Sequence, residues 1–282
     1  MSWSEPQLSA GGPGGRAPGP AQAGGPGGRP PGPAQAPHAG ITGVTFDSGG
    51  HTLVGVLYLA RGGEPKPCVL LLHGCPGLEQ NLDLAVALRD RGWNSLAFHY
   101  RGCWGSGGRY DLRTITRDVA AAVDYLHSGE HPSVDPARLA VFGHSLGGWA
   151  AVLAAATDPR LRAVAVCGAA TSLAAVDLSA GEIRREFTRF VTAEPEEFAR
   201  QRDEVAAGPQ PLDVAGSIAP RPMLIVHGSE DEWVPAAQGK ALFERSGQRR
   251  RYVEVEGANH AFSWHREQLR ELIISWLAEM NI

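Results

Sequence analysis

The amino-acid sequence predicts an α/β fold with a doubly wound, mostly parallel sheet. From Ile41 onward, short runs rich in β-branched residues alternate with Ala- and Leu-rich amphipathic stretches, which is the order of repeated strand–helix units. The run Cys68–Leu72 is apolar at every position, as is typical of a strand buried on both faces of a parallel sheet. We expect an antiparallel pair only at the start, where Ile41–Phe46 and Thr52–Ala60 flank a turn containing Gly49 and Gly50.

The other elements follow from hydrophobic periodicity and from residues that begin or end helices. Gly92 ends the first predicted helix, and Asp111 is a favoured N-cap for the second. The predicted strands are, in order, Cys68–Leu72, Trp93–Tyr100, Leu139–Phe142, Arg162–Val166, Pro222–Val226 and Arg251–Val255. The predicted helices are Asn81–Arg91, Asp111–His127, Leu146–Ala156, Ala236–Ser246 and Glu267–Glu279.

The segment Thr171–Ser217 interrupts the alternation of strands and helices. It contains two helical pieces, Ser179–Val191 and Pro195–Ala206, which are rich in Arg and Glu. Ligands of open α/β sheets bind outside the carboxyl ends of the strands, and an insertion on that side lies over them. We therefore expect residues 171–217 to form a small helical cap over an active-site crevice. The alternative is a solvated helical excursion that takes no part in a site.

Residues 1–40 differ from the rest of the chain, since half of them are Gly or Pro. A 13-residue tandem repeat fills most of this segment, because residues 11–23 and 24–36 differ only at Ala17 and Pro30. Such a segment has too few large apolar side chains to offset the entropy of ordering it. We expect a disordered tail at 1–40, followed by one folded domain at 41–282. A docking site for a proline-recognising partner is the alternative interpretation of the tail.

Charge and cysteine usage exclude several function classes. The 26 basic and 30 acidic side chains give a net charge of −4, which offers no electrostatic footprint for nucleic acid. No apolar run approaches the length of a membrane span, and the first residues lack the features of a signal peptide. We expect a cytoplasmic protein without a metal or cofactor, because the cysteines lack disulfide or zinc spacing: Cys68, Cys75, Cys103 and Cys167.

The strongest chemical motif is Gly143-His144-Ser145-Leu146-Gly147-Gly148, between a predicted strand and a predicted helix. A serine on a sharp strand-to-helix turn needs small residues two positions to either side, because the backbone leaves no room for a Cβ there. The turn exposes the hydroxyl at the N-terminus of the helix. Ser145 is therefore the candidate nucleophile.

A serine nucleophile needs a base and an acid that orients the base, and in this strand–turn–helix context the chain order is Ser, acid, His. Asp231 follows the strand that ends near Val226 and is our candidate acid. Its neighbours Glu230 and Glu232 are the competing carboxylates. His260 follows the strand Arg251–Val255 and is the candidate base.

Acyl transfer also needs N–H donors for the developing oxyanion. The N–H of Leu146, directly after the nucleophile, is the first candidate. The second comes from the loop His73-Gly74-Cys75-Pro76-Gly77, where Pro76 has no N–H, so we assign Cys75. The Cys75 thiol as nucleophile is the alternative, but it is unnecessary once Ser145 has the histidine and the acid.

These motifs together resemble the α/β-hydrolase superfamily over residues 41–282. Four motifs stand in the superfamily's order: HGCPG (73–77), GHSLGG (143–148), GSEDEWVP (228–235) and GANHAF (257–262). Residues 99–108 are similar to a loop in single-domain relatives of its prolyl-oligopeptidase and dienelactone-hydrolase branches. The resemblance implies Ser145 as nucleophile, Asp231 as acid and His260 as base. It also implies ester hydrolysis without a cofactor as the default activity.

Two further residues are candidates for substrate binding. Trp104 lies in a Gly-rich loop and is expected either to line the acyl pocket or, like Trp149 and Trp233, to pack in the core or at the rim. Arg101 is expected either to bind a substrate carboxylate or to brace its loop through a salt bridge. The other histidines near the motifs are expected in structural roles: His73, His99, His144 and His227.

The sequence thus predicts a serine hydrolase of small or medium carboxylic esters, with thioesters as a second class and a small-molecule substrate as the partner. A small peptidase or amidase of the same fold is the first alternative. It is disfavoured because forty Gly/Pro-rich residues cannot form the propeller domain of prolyl oligopeptidases, and because no paired-Glu motif is evident. A non-catalytic binding protein that uses the tail is the second alternative. The oligomeric state is left open.

Overall fold

A computed structural model of the chain describes residues 39–176 and 180–280. The repeat and nearly all of the predicted tail lie outside these residues, so the tail stays a prediction. No helix of the described part is both long enough and apolar enough to cross a membrane.

The described residues form one sheet of eight strands: β1 Gly40–Ser48, β2 His51–Leu59, β3 Lys66–Leu72, β4 Asn94–Phe98, β5 Val134–His144, β6 Leu161–Cys167, β7 Met223–Gly228 and β8 Arg250–Val255. Their order in the sheet is β1-β2-β4-β3-β5-β6-β7-β8. Strand β2 is antiparallel to both β1 and β4, and the pairs from β4 to β8 are all parallel. This confirms the predicted doubly wound, mostly parallel sheet with an antiparallel start.

Helices cover both faces of the sheet. The α-helices of the described residues are α1 Leu82–Asp90, α2 Ile115–His127, α3 Leu146–Thr157, α4 Gly181–Thr188, α5 Pro195–Ala206, α6 Pro211–Val214, α7 Ala236–Arg245 and α8 Arg266–Met280. Along β3, Leu70 and Leu72 pack into the layer that contains α2 and α3, whereas Val69 and Leu71 pack into the layer of α1 and α8. Burial on both faces explains why residues 68–72 of β3 are all apolar.

Element boundaries differ from the prediction where contacts between distant segments decide them. Strand β5 begins five residues before the predicted Leu139, because Lys66 of β3 pairs with Val134. Asp111 caps as predicted by accepting the N–H of Arg113 at 2.9 Å, but a 3₁₀ turn precedes α2. Helix α4 ends before Val191, because Val191 forms a β-bridge with Cys103 instead.

Candidate active site

Ser145 occupies the single-residue turn between β5 and α3. Its backbone has φ 57° and ψ −120°, a conformation that costs a non-glycine residue about 1–3 kcal/mol. A Cβ on Gly143 would lie 2.1 Å from the carbonyl oxygen of Gly147, and a Cβ on Gly147 would lie 2.1 Å from that of Leu72. The surrounding backbone therefore requires glycine at both positions and presents the Ser145 side chain to the cavity above.

His260 follows β8 and Asp231 follows β7, and the two side chains meet. The Nδ1 atom of His260 lies 2.9 Å and 2.8 Å from the two carboxylate oxygens of Asp231. Gly168, after β6, packs against this pair, since a Cβ there would lie 3.1 Å from an Asp231 oxygen and 3.2 Å from His260 Nδ1. The imidazole is thus held between a carboxylate and a glycine that leaves it room.

The three adjacent carboxylates of the loop after β7 have different positions. Asp231 is buried and also accepts the backbone N–H groups of Trp233 and Val234, at 3.0 Å and 2.7 Å. Glu232 instead accepts the backbone N–H of His260 at 3.0 Å. Of these carboxylates, Asp231 is therefore the one that contacts the imidazole.

Burial by itself would raise the pKa of the Asp231 carboxyl. Contacts with His227 and His260 outweigh burial and hold this pKa well below its usual range. His227 Nε2 lies 3.3 Å from Asp231 and 2.7 Å from the carbonyl oxygen of Val234. Asp231 is consequently ionised throughout the neutral range and can orient the imidazole of His260.

His144 supports the other side of His260. Its Nε2 atom lies 2.9 Å from the carbonyl oxygen of His260, and the two rings are 4.8 Å apart. Burial lowers the pKa of His144 to about 3, so its ring is neutral and can donate through Nε2–H. This is the structural role expected for His144.

Leu146 and Cys75, whose N–H groups are the predicted oxyanion donors, line the same cavity as Ser145. Neither N–H group has a hydrogen-bond acceptor among the described residues. Gly74 brings the Cys75 loop close, since a Cβ on Gly74 would lie 2.9 Å from that of Ser145. Burial raises the pKa of the Cys75 thiol to about 12, and the thiol donates to the carbonyl oxygen of Phe187 at 3.2 Å. The thiol is thus a poor candidate for a nucleophile.

A cavity of about 220 Å³ lies above Ser145. The body of the domain contributes Ser145, His260, Leu146 and the loop of residues 74–79 to its wall. The segment 171–217 contributes Leu173, Val176, Glu186, Phe187, Phe198 and Arg202. Described residues of the segment predicted as a cap therefore form part of the cavity wall beside the candidate nucleophile.

Trp104 and Arg101, the two predicted substrate-binding residues, do not line this cavity. Trp104 packs behind its wall, where its indole N–H donates to the carbonyl oxygen of Pro76 at 3.0 Å. Arg101 is buried and its Nε binds Asp118 at 2.9 Å, so it braces its loop and has no free guanidinium for a substrate. For Arg101 the structure thus shows the bracing alternative, and for Trp104 the contacts favour the packing alternative.

Sequence reasoning missed the residues that shape the cavity wall. Phe187 and Phe198 lie in the segment 171–217, whose residues carry no motif, and the sequence predicts only a packing or rim position for Trp233. Their aromatic character was visible, but their position depends on how α4 and α5 pack against the body.

Within residues 39–176 and 180–280, no cluster of three or more His, Cys, Asp or Glu side chains is arranged to hold a metal ion.

Comparisons with known proteins agree with this architecture. A model of the prolyl oligopeptidase family matches residues 81–280. An uncharacterized protein of Mycobacterium tuberculosis (strain H37Rv) is 32% identical over 212 residues, which cover 75% of this chain and 69% of that protein.

Solved structures show the same fold. The 2,6-dihydroxy-pseudo-oxynicotine hydrolase has a TM-score of 0.70 at 24% identity, covering 86% of this chain and 68% of its own. An esterase domain from Rhodothermus marinus has a TM-score of 0.63 at 24% identity, covering 85% of this chain and 98% of its own. With the family model matched over most of the described domain, the chain belongs to the prolyl oligopeptidase family and has the α/β-hydrolase fold.

Proposed function

We propose that this α/β-hydrolase cleaves small to medium carboxylic esters, and thioesters as a second class, through an acyl-enzyme on Ser145. The observation that carries the proposal is the pair of His260 and Asp231, 2.8 Å apart, whose imidazole lines the same cavity as Ser145. The esterase among the structural neighbours has the same fold and supports an assignment to hydrolysis.

In the proposed mechanism, the Ser145 hydroxyl attacks the acyl carbon while His260 Nε2 takes its proton. Asp231 holds the Nδ1–H tautomer and stabilises the imidazolium. The N–H groups of Cys75 and Leu146 donate to the oxyanion of the tetrahedral intermediate. The intermediate collapses, and the leaving alcohol takes the proton from His260. Water, deprotonated by His260, then attacks the acyl carbon. The bond between the acyl carbon and Ser145 Oγ breaks, the acid leaves, and His260 returns the proton to Ser145 Oγ.

Labelling with a fluorophosphonate probe tests the nucleophile. We expect the wild-type protein to be labelled and Ser145→Ala to remain unlabelled. Ser263→Ala, a change at an exposed serine outside the cavity wall, is the matched control and should be labelled like the wild type. Absence of wild-type labelling, or equal labelling of Ser145→Ala, would refute the proposal.

A peptidase or amidase is the second candidate, and the matched family favours it. Two carboxylates on the cavity wall, Glu79 and Glu186, could bind the amino terminus of a peptide. Each already has a cation nearby, because Glu79 lies 3.6 Å from Arg266 and Glu186 lies 3.6 Å from Arg189. We therefore expect kcat/KM for acyl esters to exceed that for aminoacyl amides, and the reverse order would establish the peptidase.

A further inference from the structure

Three aromatic side chains form one continuous part of the cavity wall: Phe187 of α4, Phe198 of α5 and Trp233 of the loop after β7. The rings of Phe187 and Phe198 are nearly parallel, with centroids 5.9 Å apart and an interplanar angle of 12°. Trp233 meets Phe187 edge to face at 5.7 Å and 81°. These separations lie in the range in which aromatic rings attract one another. A further ring in the cavity would meet aromatic surface on this wall.

This aromatic wall is held in place by contacts outside the cavity. The backbone carbonyl of Phe187 accepts the thiol of Cys75, which ties α4 to the loop beside Ser145. Phe198 stacks on Tyr110 at 6.1 Å and is 4% exposed. Side chains that are fixed before binding lose little conformational entropy when a ligand arrives. The wall is thus preorganised.

The charges around the cavity disfavour an anionic ligand, and the carboxylates Glu79 and Glu186 of the wall each already have an arginine 3.6 Å away. Arg202 is the one Arg or Lys that the described residues place on the wall, and its guanidinium is already engaged. It donates to the carbonyl oxygens of Val176 and Leu173 and lies 2.8 Å from Asp203. A carboxylate or phosphate on the buried part of a substrate would therefore be desolvated without a free cation to pair with.

The size of the cavity limits the ligand to about one ring. An apolar protein cavity of about 150 Å³ is large enough to bind benzene. The cavity here is about 220 Å³, which leaves room for a ring and a short linker to the reacting carbonyl. Longer acyl chains would have to extend into solvent.

The exposed fractions of the wall residues indicate that the aromatic ring of the substrate belongs to its acyl group rather than to its alcohol. Leu112 and Phe198 are 2% and 4% exposed, whereas Leu78 and Trp233 are 58% and 45% exposed. The alcohol leaves first, with the proton from His260, so it needs the open part of the cavity. The acyl group stays on Ser145 until water arrives, and the buried aromatic part can hold it.

We propose that the substrates are esters whose acyl group ends in an uncharged aromatic ring a few bonds from the carbonyl, as in a 3-phenylpropanoyl ester. Phe187 and Phe198 are the residues that select the ring. This inference rests on the proposed function, because it assigns the substrate class of the Ser145 site.

The experiment compares an aromatic ring with a saturated ring of the same carbon number. We expect kcat/KM for methyl 3-phenylpropanoate to exceed that for methyl 3-cyclohexylpropanoate by about three- to tenfold, the size of an aromatic pairing preference. Phe187→Leu and Phe198→Leu should each bring this ratio close to one. Phe243→Leu, on α7 against Tyr252, removes an aromatic ring that is not on the cavity wall and should leave the ratio unchanged.

Binding of two amides to Ser145→Ala, measured by calorimetry, separates ring selection from catalysis. We expect 3-phenylpropanamide to bind more tightly than 3-cyclohexylpropanamide by a similar factor. Equal binding, or tighter binding of the cyclohexyl amide, overturns the aromatic selection even if both esters are hydrolysed. If Ser145→Ala binds the phenyl amide more tightly but the wild-type protein hydrolyses neither ester, the ring site is upheld and the proposed function is overturned.

Discussion

At the scale of single residues, the acidic run Glu230-Asp231-Glu232 shows what decides which carboxylate serves His260. The middle residue is turned inward because its side chain caps the following turn through the N–H groups of Trp233 and Val234. Among residues 39–176 and 180–280, Glu232 has only the backbone N–H of His260 as a hydrogen-bond donor. The sequence favours Asp231 by its place after a strand, but the inward turn depends on three-dimensional contacts.

Replacing Asp231 tests this distinction. We expect Asp231→Asn to lower kcat about 10³- to 10⁴-fold, because an amide no longer fixes the Nδ1–H tautomer or stabilises the imidazolium. Glu232→Gln keeps an acceptor for the His260 N–H and should change kcat less than tenfold, as a rough bound. The measurement is kcat on one ester for both variants. Equal losses would mean that neither carboxylate has a special role.

Three histidines make stability depend on pH, of which His73 and His144 are buried and His99 is half-buried. Burial lowers the pKa of His144 to about 3 and the pKa of His73 and His99 to about 4. In the unfolded chain these groups titrate near their ordinary value of about 6.5. The unfolded state therefore binds more protons as the pH falls below about 6.5, and the stability that the neutral rings contribute above that pH is lost towards pH 4.

The expected result is a steep fall in the free energy of unfolding between pH 6 and pH 4.5. Each histidine contributes a slope of about 1.4 kcal/mol per pH unit once the unfolded form is fully protonated. Urea unfolding of the wild type and of His99→Gln measures the difference. The slope of the free energy of unfolding against pH should be shallower in the variant by about 1.4 kcal/mol per pH unit, which corresponds to one proton. An unchanged slope would mean that His99 is not neutral in the folded protein.

At the scale of elements, hydrophobic period and helix-end residues predicted every strand of the sheet and most helices. The sequence did not reveal the early start of β5 or the early end of α4, because each depends on pairing with a segment far along the chain. The aromatic wall was missed for the same reason. Residues next to strand ends can be placed by topology alone, whereas cap residues cannot.

The junction of β5 and α3 gives a sharp test of backbone crowding. Gly147→Ala would place a Cβ 2.1 Å from the carbonyl oxygen of Leu72, so the backbone must move. We expect the free energy of unfolding to fall by about 1–3 kcal/mol or more, as at other overpacked buried sites, and the activity to be lost. Gly43→Ala in β1 is the matched control, since no atom lies within 4 Å of its Cβ. It should change stability by no more than about 1 kcal/mol. A Gly147→Ala protein as stable as Gly43→Ala would contradict this account.

Helix α8 is tied to helix α1 through Arg266. Arg266 Nε lies 3.1 Å from Asp83, and its Nη2 lies 3.1 Å from the side-chain oxygen of Asn81. Its Nη1 also reaches the carbonyl oxygen of Ala261, next to His260, at 3.5 Å. Arg266 therefore joins the loop that carries His260 to the segment that follows the Cys75 loop, and we regard it as a positioning residue.

Arg270→Ala is the matched control for Arg266→Ala, because Arg270 binds Asp83 by a single contact of 3.2 Å. We expect Arg266→Ala to lower the free energy of unfolding by about 1–3 kcal/mol, as for hydrogen bonds to charged groups, and Arg270→Ala by no more than about 1 kcal/mol. Arg266→Ala should also lower kcat more than it changes KM, with partial recovery in Arg266→Lys. A loss of stability without any change in kcat would mean that Arg266 has only a structural role.

At the scale of the whole molecule, the question is where the cooperative unit begins. Strand β1 pairs with β2 in register from Gly40 to Ser48, and Val44 and Phe46 are buried in the core. The Gly/Pro-rich repeat before it has little apolar surface to bury, so the sequence predicts that it adds nothing to stability. Deleting residues 1–38 should then leave the free energy of unfolding within about 0.5 kcal/mol and kcat/KM unchanged.

Deletion of residues 1–46 is the control, because it also removes Val44 and Phe46, each contributing about 1.5–3 kcal/mol through burial. Urea unfolding and ester hydrolysis are measured for the full chain and both deletions. If neither the full chain nor the 1–38 deletion hydrolyses esters, and a partner binds only the full chain, the result favours the non-catalytic binding protein. Equal hydrolysis by those two forms, and a marked loss of stability only after deletion of 1–46, would place the beginning of the cooperative hydrolase domain between residues 39 and 46.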